Sequence, residues 1–200
     1  LAPNLKVTPP TELLWALIGL ILTIGGTFLE AFTTNLPWNW SQDGVQTYSL
    51  QVNFQVGAVL LVGCLGGKRA AALSQIVYLI LGLTRFPVFT QGGGLDYIYQ
   101  PSFGYLLGFI PGAWVCGSFA FRLPSRLESL AFSCLCGLFT IHATGLGYLI
   151  ATYALRWVDI NALSFPQAVL NFSIYPIPGQ LAVVCAVTVL AFALRHLMFY

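Results

Sequence analysis

The chain has 200 residues, of which 58% are hydrophobic and only 7% charged. A soluble domain carries about 25% charged residues, so most of this surface faces lipid rather than water. The net charge is only +2 with no basic run, which argues against nucleic acid as a partner, and the length fits one integral membrane domain, 1–200.

A crossing helix needs about 20 predominantly apolar residues. The first such run covers 13–36 and follows Thr11 and Glu12, a good helix start. It is long enough to span, so it is not read as a cleavable signal. A loop follows at 37–44, where Trp38 and Trp40 suit a membrane interface. The second run, 48–65, stops at Gly66, Gly67, Lys68 and Arg69. The third covers 70–89 and the fourth 102–121. A short turn at Pro124, Ser125 and Arg126 leads into the fifth, 127–155. The last is interrupted: 165–172 is apolar, Pro176, Ile177, Pro178 and Gly179 break it, and 180–199 completes the crossing. The expected fold is an all-α integral membrane bundle of six transmembrane helices.

Charge orients that bundle. With six spans, Lys6, Lys68, Arg69, Arg122, Arg126 and Arg195 fall on one face. Arg156 and Arg85, with Asp43, Asp96 and Asp159, fall at the other. The positive-inside rule then makes both termini cytoplasmic. The membrane is expected to be a bacterial plasma membrane or a related internal one.

The stretch 85–112 cannot be a plain spanning helix. Pro87 removes a backbone donor and restricts its predecessor. Gly92, Gly93 and Gly94 open conformations closed to other residues. Thr90, Gln91, Asp96, Tyr97, Tyr99 and Gln100 are polar or amphipathic. Irregular polar backbone near membrane depth is tolerated where it is buried in protein or lines a cavity. This segment is therefore the first candidate for a binding site.

Other polar residues can join it. Gln55 and Asn53 are amides among apolar neighbours, and buried amides need partners. Gln180 stands where the last helix restarts, near free backbone donors. With Thr90, Tyr97 and Tyr105 they would make an apolar pocket with a few polar points, the usual composition of a small-molecule site. Glu30 and Arg85 are ionisable residues in apolar surroundings, where a partner or a pathway is the default expectation; they can pair with each other. His142, midway along the fifth run, reads as a hydrogen-bonded core residue, with a metal, proton or pigment role as the alternative.

The five cysteines all lie in apolar runs, with no CxxC pair and no zinc-type spacing. They read as small packing residues, and neither a metal nor a cofactor is expected. Gly104, Gly108, Gly112, Cys116 and Ala120 form one stripe of small residues; Ala143, Gly147 and Ala151 form a shorter one. Such stripes allow backbones to approach closely. No HExxH, GxSxG or phosphate loop is present, so no enzyme is expected.

Several of these segments carry a resemblance. LGGKRAA (65–71), YLILGLTRFPVF (78–89), QGGG (91–94), PSFGYLLGF (101–109) and IPG (177–179) occur in an order similar to that of the BioY family. That family comprises the biotin-binding S components of energy-coupling factor transporters. The resemblance implies six helices, a vitamin pocket open to the outside, and assembly with a coupling protein and paired ATPases. Position by position, it implies substrate contacts from Gln55, from a closing loop at Thr90, Gly92, Gly93 and Gly94, and from Tyr105. Where the family typically has Pro-Gly-Asp with a Lys three residues on, this chain has Gln180 and Val183. Gln180 can still bond a ureido group, Val183 offers nothing to a carboxylate, and Arg85 is the replacement cation to consider. The first helix also lacks the family's Ala-x-x-x-Ala docking pattern. The expected function is biotin uptake. The alternative is a structural or assembly subunit of a larger membrane complex, holding lipid or pigment.

Overall fold

The computed structural model describes residues 9–35, 38, 40–84, 86–157 and 163–199. Lys6, Pro37, Asn39, Arg85 and Asp159 lie outside the described residues. The elements in order are α1 (Pro9–Phe28), β1 (Glu30–Thr34), α2 (Trp40–Asp43), β2 (Thr47–Asn53) and α3 (Gln55–Leu83). A 3-10 turn (Leu95–Tyr99), α4 (Phe103–Arg122) and α5 (Leu127–Ala154) follow. The short α6 (Phe165–Val169) passes through a π turn (Leu170–Ile174) into α7 (Ile177–Phe199).

Six spanning helices are expected from the hydropathy pattern; the described residues contain five helices long and apolar enough to cross a membrane. The difference lies in α3, where two expected runs join into one element of 29 residues. Gly67 interrupts it with φ 80° and ψ 174°, a conformation closed to a helix and suited to glycine. Gln55 and Tyr78 are 23 positions apart yet hydrogen-bond at 2.8 Å. A straight helix would hold them about 35 Å apart. The chain therefore folds back at Gly67 into two antiparallel arms.

Two helix ends are also corrected. Residues 30–34 and 47–53, all but Thr47 expected to be helical, pair as an antiparallel hairpin with Phe32 opposite Ser49 and Thr34 opposite Thr47. Thr33, Thr34, Thr47, Tyr48 and Val52 are β-branched or aromatic, the types that suit a pleated surface. The third helix ends at Leu83 rather than Phe89, because Pro87 cannot continue it.

The first arm of α3 is the centre of the bundle. Val59, Leu60, Val62 and Cys64 are all fully buried. The glycine stripe of α4 packs inside the bundle: a Cβ at Gly104 would meet Tyr148, and one at Gly108 would lie 2.8 Å from the Ile141 carbonyl oxygen. Ala143, Gly147 and Ala151, by contrast, are exposed. The sulfurs of Cys64, Cys116 and Cys134 meet at 3.5–3.7 Å in the core, and all five cysteines are free. The three sulfurs lie within 4.8 Å of one another; they come from three different helices, which is why sequence spacing does not disclose the cluster.

The two ends of the bundle differ. At one end Glu12 of α1 meets Arg69 at 3.8 Å, and Arg195 of α7 donates to the carbonyls of Cys64 and Ala120 at 2.8 Å. The start of α1 and the end of α7 thus share this end. At the other, Asn53 donates to the Thr27 carbonyl at 3.1 Å, and the 86–102 segment covers the helices.

Candidate functional site

The site begins where α3 ends. Beyond Thr84 the backbone bonds locally: Val88 N–H donates to Phe86 O at 2.8 Å, and Phe89 and Gly92 exchange two bonds of 3.0 Å. This closes a tight turn with Thr90 and Gln91 at its tip. Gly92 and Gly94 have φ of 106° and 111°, a region that side chains disfavour. A Cβ on Gly93 would fall 2.2 Å from the Phe86 carbonyl oxygen. Gly94 N–H then ties the turn back to Gly82 O at 2.8 Å.

An aromatic ladder anchors the turn. Phe89 is 1% exposed, with its ring centroid 5.4 Å from that of Tyr78 and 4.7 Å from that of Tyr97. Tyr97 continues to Phe103 at 6.4 Å, and Phe103 to Tyr148 at 5.8 Å. Each such pair contributes about 0.5–1.5 kcal/mol beyond burial. The ladder joins α3, the turn, α4 and α5.

Beneath the turn lies a cavity of about 260 Å³. Val56, Leu106, Phe109 and Ile141 supply apolar wall; Gln55, Tyr97, Tyr105 and Gln180 supply polar points. Gln51, Thr90, Gln91 and Asn171 also line it and are exposed. Among the described lining residues none is charged.

The polar points are held by the protein itself. Gln55, buried at the start of α3, donates through Nε2 to the Tyr78 hydroxyl at 2.8 Å, and that hydroxyl donates to Val88 O at 2.9 Å. On the facing wall Gln180 Oε1 accepts from His142 Nε2 at 2.6 Å. The other ring nitrogen, Nδ1, lies 3.4 Å from Ser173 Oγ, which is 2.5 Å from the Tyr105 hydroxyl. Because Gln180 Oε1 can only accept, Nε2 carries the ring proton; a neutral imidazole then accepts at Nδ1 from Ser173, which leaves Tyr105 to donate to Ser173. Ser173 reaches this relay because the π turn at 170–174 re-registers the chain; π turns recur at functional sites.

Of the residues expected from sequence, Gln55, Thr90, Tyr97, Tyr105 and Gln180 come together on the cavity. Gly92, Gly93 and Gly94 shape the turn and are not among its lining residues. Arg85 lies outside the described residues, and its pairing with Glu30 with it. Glu30 is an exposed strand residue that accepts from Ser49 across the hairpin, not a residue in apolar surroundings toward the end of a helix. Val183 is buried against Gly57, in the packing rather than on the cavity. His142 is the hydrogen-bonded core residue that its position suggests. Ser173, Asn171, Ser102 and Phe109 are not anticipated. Asn171 and Ser173, two polar residues next to the Pro176 break, are the signal that could have found two of them.

The BioY family profile matches residues 11–199. An uncharacterized 21.2 kDa protein of Cyanophora paradoxa is 30% identical over 97% of this chain and 100% of its own length. A probable biotin transporter BioY of Lysinibacillus sphaericus is 43% identical over 51% of this chain and 50% of its own, so that match spans half of each. The biotin transporter BioY of Thermotoga maritima is 35% identical over 50% of this chain and 61% of its own. The crystal structure of the S-component for biotin from an ECF-type ABC transporter shares the fold, with a TM-score of 0.68 and 18% identity, covering 94% of this chain and 92% of that one.

Proposed function

The chain belongs to the BioY family, and on that premise we propose that it is the substrate-binding S component of an energy-coupling factor transporter, holding biotin beneath the 89–92 turn. It is a multi-pass integral membrane protein of a transporter family, not an enzyme. Both arms of α3 count as crossings in this proposal, which gives six. The end carrying Lys68, Arg69, Arg122, Arg126 and Arg195 is cytoplasmic by the positive-inside rule, and the cavity opens outward. A coupling protein and ATPases would meet the cytoplasmic side, and α1 offers an outward apolar face through Leu13, Leu14, Leu17 and Ile21.

The observation that carries the proposal is the pair of tethered amides. His142 engages Gln180 Oε1 and leaves the amide N–H groups to donate. Tyr78 engages Gln55 Nε2 and leaves Oε1 to accept. A ureido ring presents one carbonyl and two N–H groups, the complement of that pair. The apolar walls suit a fused ring and an alkyl chain. At about 260 Å³, the cavity sits just under the roughly 300–1,000 Å³ common for small-molecule sites. No described lining residue pairs with a carboxylate, and burying that group unpaired is costly. The carboxylate therefore points to the rim, toward Gln51, Thr90 and Asn171.

Equilibrium binding of labelled biotin to the purified protein tests this. Saturable binding is expected, weakened about tenfold or more in Gln55→Ala and Gln180→Ala, since each leaves a buried ligand group unpaired. The neutral amide of biotin should bind within about tenfold of biotin itself, because no buried ion pair is lost. Absence of binding at micromolar biotin, with stable partners co-purifying, would overturn the proposal in favour of a structural subunit.

A further inference from the structure

A second cavity of about 450 Å³ opens at the opposite end, and its walls are cationic. Lys68, Arg69 and Arg122 line it, with Glu12 as the single carboxylate. Three positive groups around one small space favour an anion. Gly67 ends one helical arm, so the second arm begins at Lys68. The first amides of such an arm have no carbonyl partner within it, and that terminus attracts negative charge. Gly117 lets α4 approach this terminus, since a Cβ there would fall 2.5 Å from Lys68 N.

The independent observation is Ser118. It lines the cavity, is 6% exposed, and its Oγ has no hydrogen-bond partner. A buried hydroxyl without a partner is costly; the Ser118 Oγ is shielded as it stands, and a turn about its Cα–Cβ bond toward the cavity would give it a ligand oxygen to bond. Behind the cavity wall, the Arg195 guanidinium lies 4.5 Å from the Phe121 ring centroid, adding positive potential.

We propose that this cavity binds a phosphate-bearing anion, either the headgroup of an anionic phospholipid or free phosphate. Lys68 and Arg122 neutralise it, Ser118 donates to one of its oxygens, and the amides at the start of the second arm face it. Glu12 opposes it, and its long contact with Arg69 restrains that cation. The surface beside the cavity favours the lipid source. Lys68 Nζ lies 5.4 Å from the ring centroid of Trp114, which is 46% exposed. A cation over an exposed indole is the arrangement of an interfacial residue with its apolar flank in the bilayer.

The test uses the full chain in phosphatidylcholine nanodiscs with added phosphatidylglycerol, followed by mass spectrometry of retained lipid. Each of Lys68→Gln and Arg122→Gln should lower phosphatidylglycerol retention about tenfold or more, the loss of a direct contact to a charged group. Ser118→Ala should lower it without lowering the unfolding temperature of the lipid-free protein, which a purely structural hydroxyl would not do. Glu12→Gln should raise it. Arg126→Gln, at the same end but outside the cavity, should leave it unchanged. In detergent, millimolar inorganic phosphate is titrated against the unfolding temperature. A rise abolished by Arg122→Gln, with no phosphatidylglycerol retained, assigns free phosphate; lipid retention without that rise assigns the headgroup. Equal losses in Arg126→Gln and Lys68→Gln, or no response to either probe, overturn the proposal.

Discussion

Gly82→Ala is expected to weaken biotin binding without entering the cavity. Gly82 faces the ring of Phe89, and an added Cβ would fall 2.1 Å from Cζ and 2.3 and 2.6 Å from Cε1 and Cε2. Carbon atoms settle at about 3.5–4.0 Å, so the ring must retreat by roughly 1.5 Å. Tyr78 and Tyr97 hold it on two sides, and the backbone bonds to Gly92 couple the ring to the turn. Overpacking of this kind costs about 1–3 kcal/mol. If the strain falls on the seated turn, affinity drops about 5- to 150-fold. The helix itself gains up to about 1 kcal/mol from the Gly→Ala exchange, so global stability moves less than affinity. Equilibrium biotin binding and thermal unfolding, measured on the same preparation, separate the two. Gly25→Ala is the control, since nothing lies within 4 Å of its Cβ position. Wild-type affinity in Gly82→Ala would refute the role of Phe89 as the anchor of the turn.

Arg195→Leu should destabilise the protein by about 2–5 kcal/mol, because two carbonyls lose charge-assisted donors near the ends of helical segments. Arg195 is 6% exposed, so water cannot readily replace it. Thermal unfolding in detergent checks this, and Arg195→Lys should recover only part, since an ammonium cannot reproduce the guanidinium fork. Gly108→Ala should force α4 from α5, with a Cβ 2.8 Å from the Ile141 carbonyl oxygen, whereas Gly147→Ala meets nothing within 4 Å and should be neutral or slightly stabilising. A comparison of their unfolding temperatures decides whether the α4 stripe is an internal packing face.

The turn was legible because its signals are local. Pro87 and three consecutive glycines say that the helix stops and that the backbone turns tightly. Gln55 and Gln180 stood out as amides at the edges of apolar runs. The β-hairpin was obscured by composition: Tyr48, Leu50 and Val52 alternate with Ser49, Gln51 and Asn53, a period of two, but averaged hydropathy renders the segment as part of an apolar helix. The fold-back of α3 was visible as two runs around Gly66 and Gly67, and only the length of each was misjudged. The relay from Tyr105 to Gln180 could not be read, because its members come from α4, the π turn, α5 and α7 and meet only once those pack. The Ser118 cavity was hidden for the same reason: its cations were counted for orientation, while the unpartnered hydroxyl depends on how closely Gly117 sits on Lys68.

The precision of the proposed biotin site follows from where its amides stand. Gln55 heads the first arm of α3, which is enclosed on every side. A Cβ at Gly57 would lie 2.7 Å from Val183, one at Gly63 3.1 Å from Cys116, and one at Gly137 would lie 2.6 Å from Leu60. An arm so confined cannot tilt without moving α4, α5 and α7 together, since packed interiors resist small shifts. Gln180 is fixed through His142 on α5, so both amides hang on the bundle core and neither on a loop. Sites carried by packed helices hold their groups more closely than sites carried by loops. Thr90 and Gln91, at the tip of the turn, are the exception, exposed and carried by a loop. Val183 clarifies the same division. Its position serves the packing that locks the arm, so a cation there would sit against Gly57 in the core. In the proposed complex, recognition of the ligand's charged end therefore falls to the exposed rim, while the core reads its neutral head.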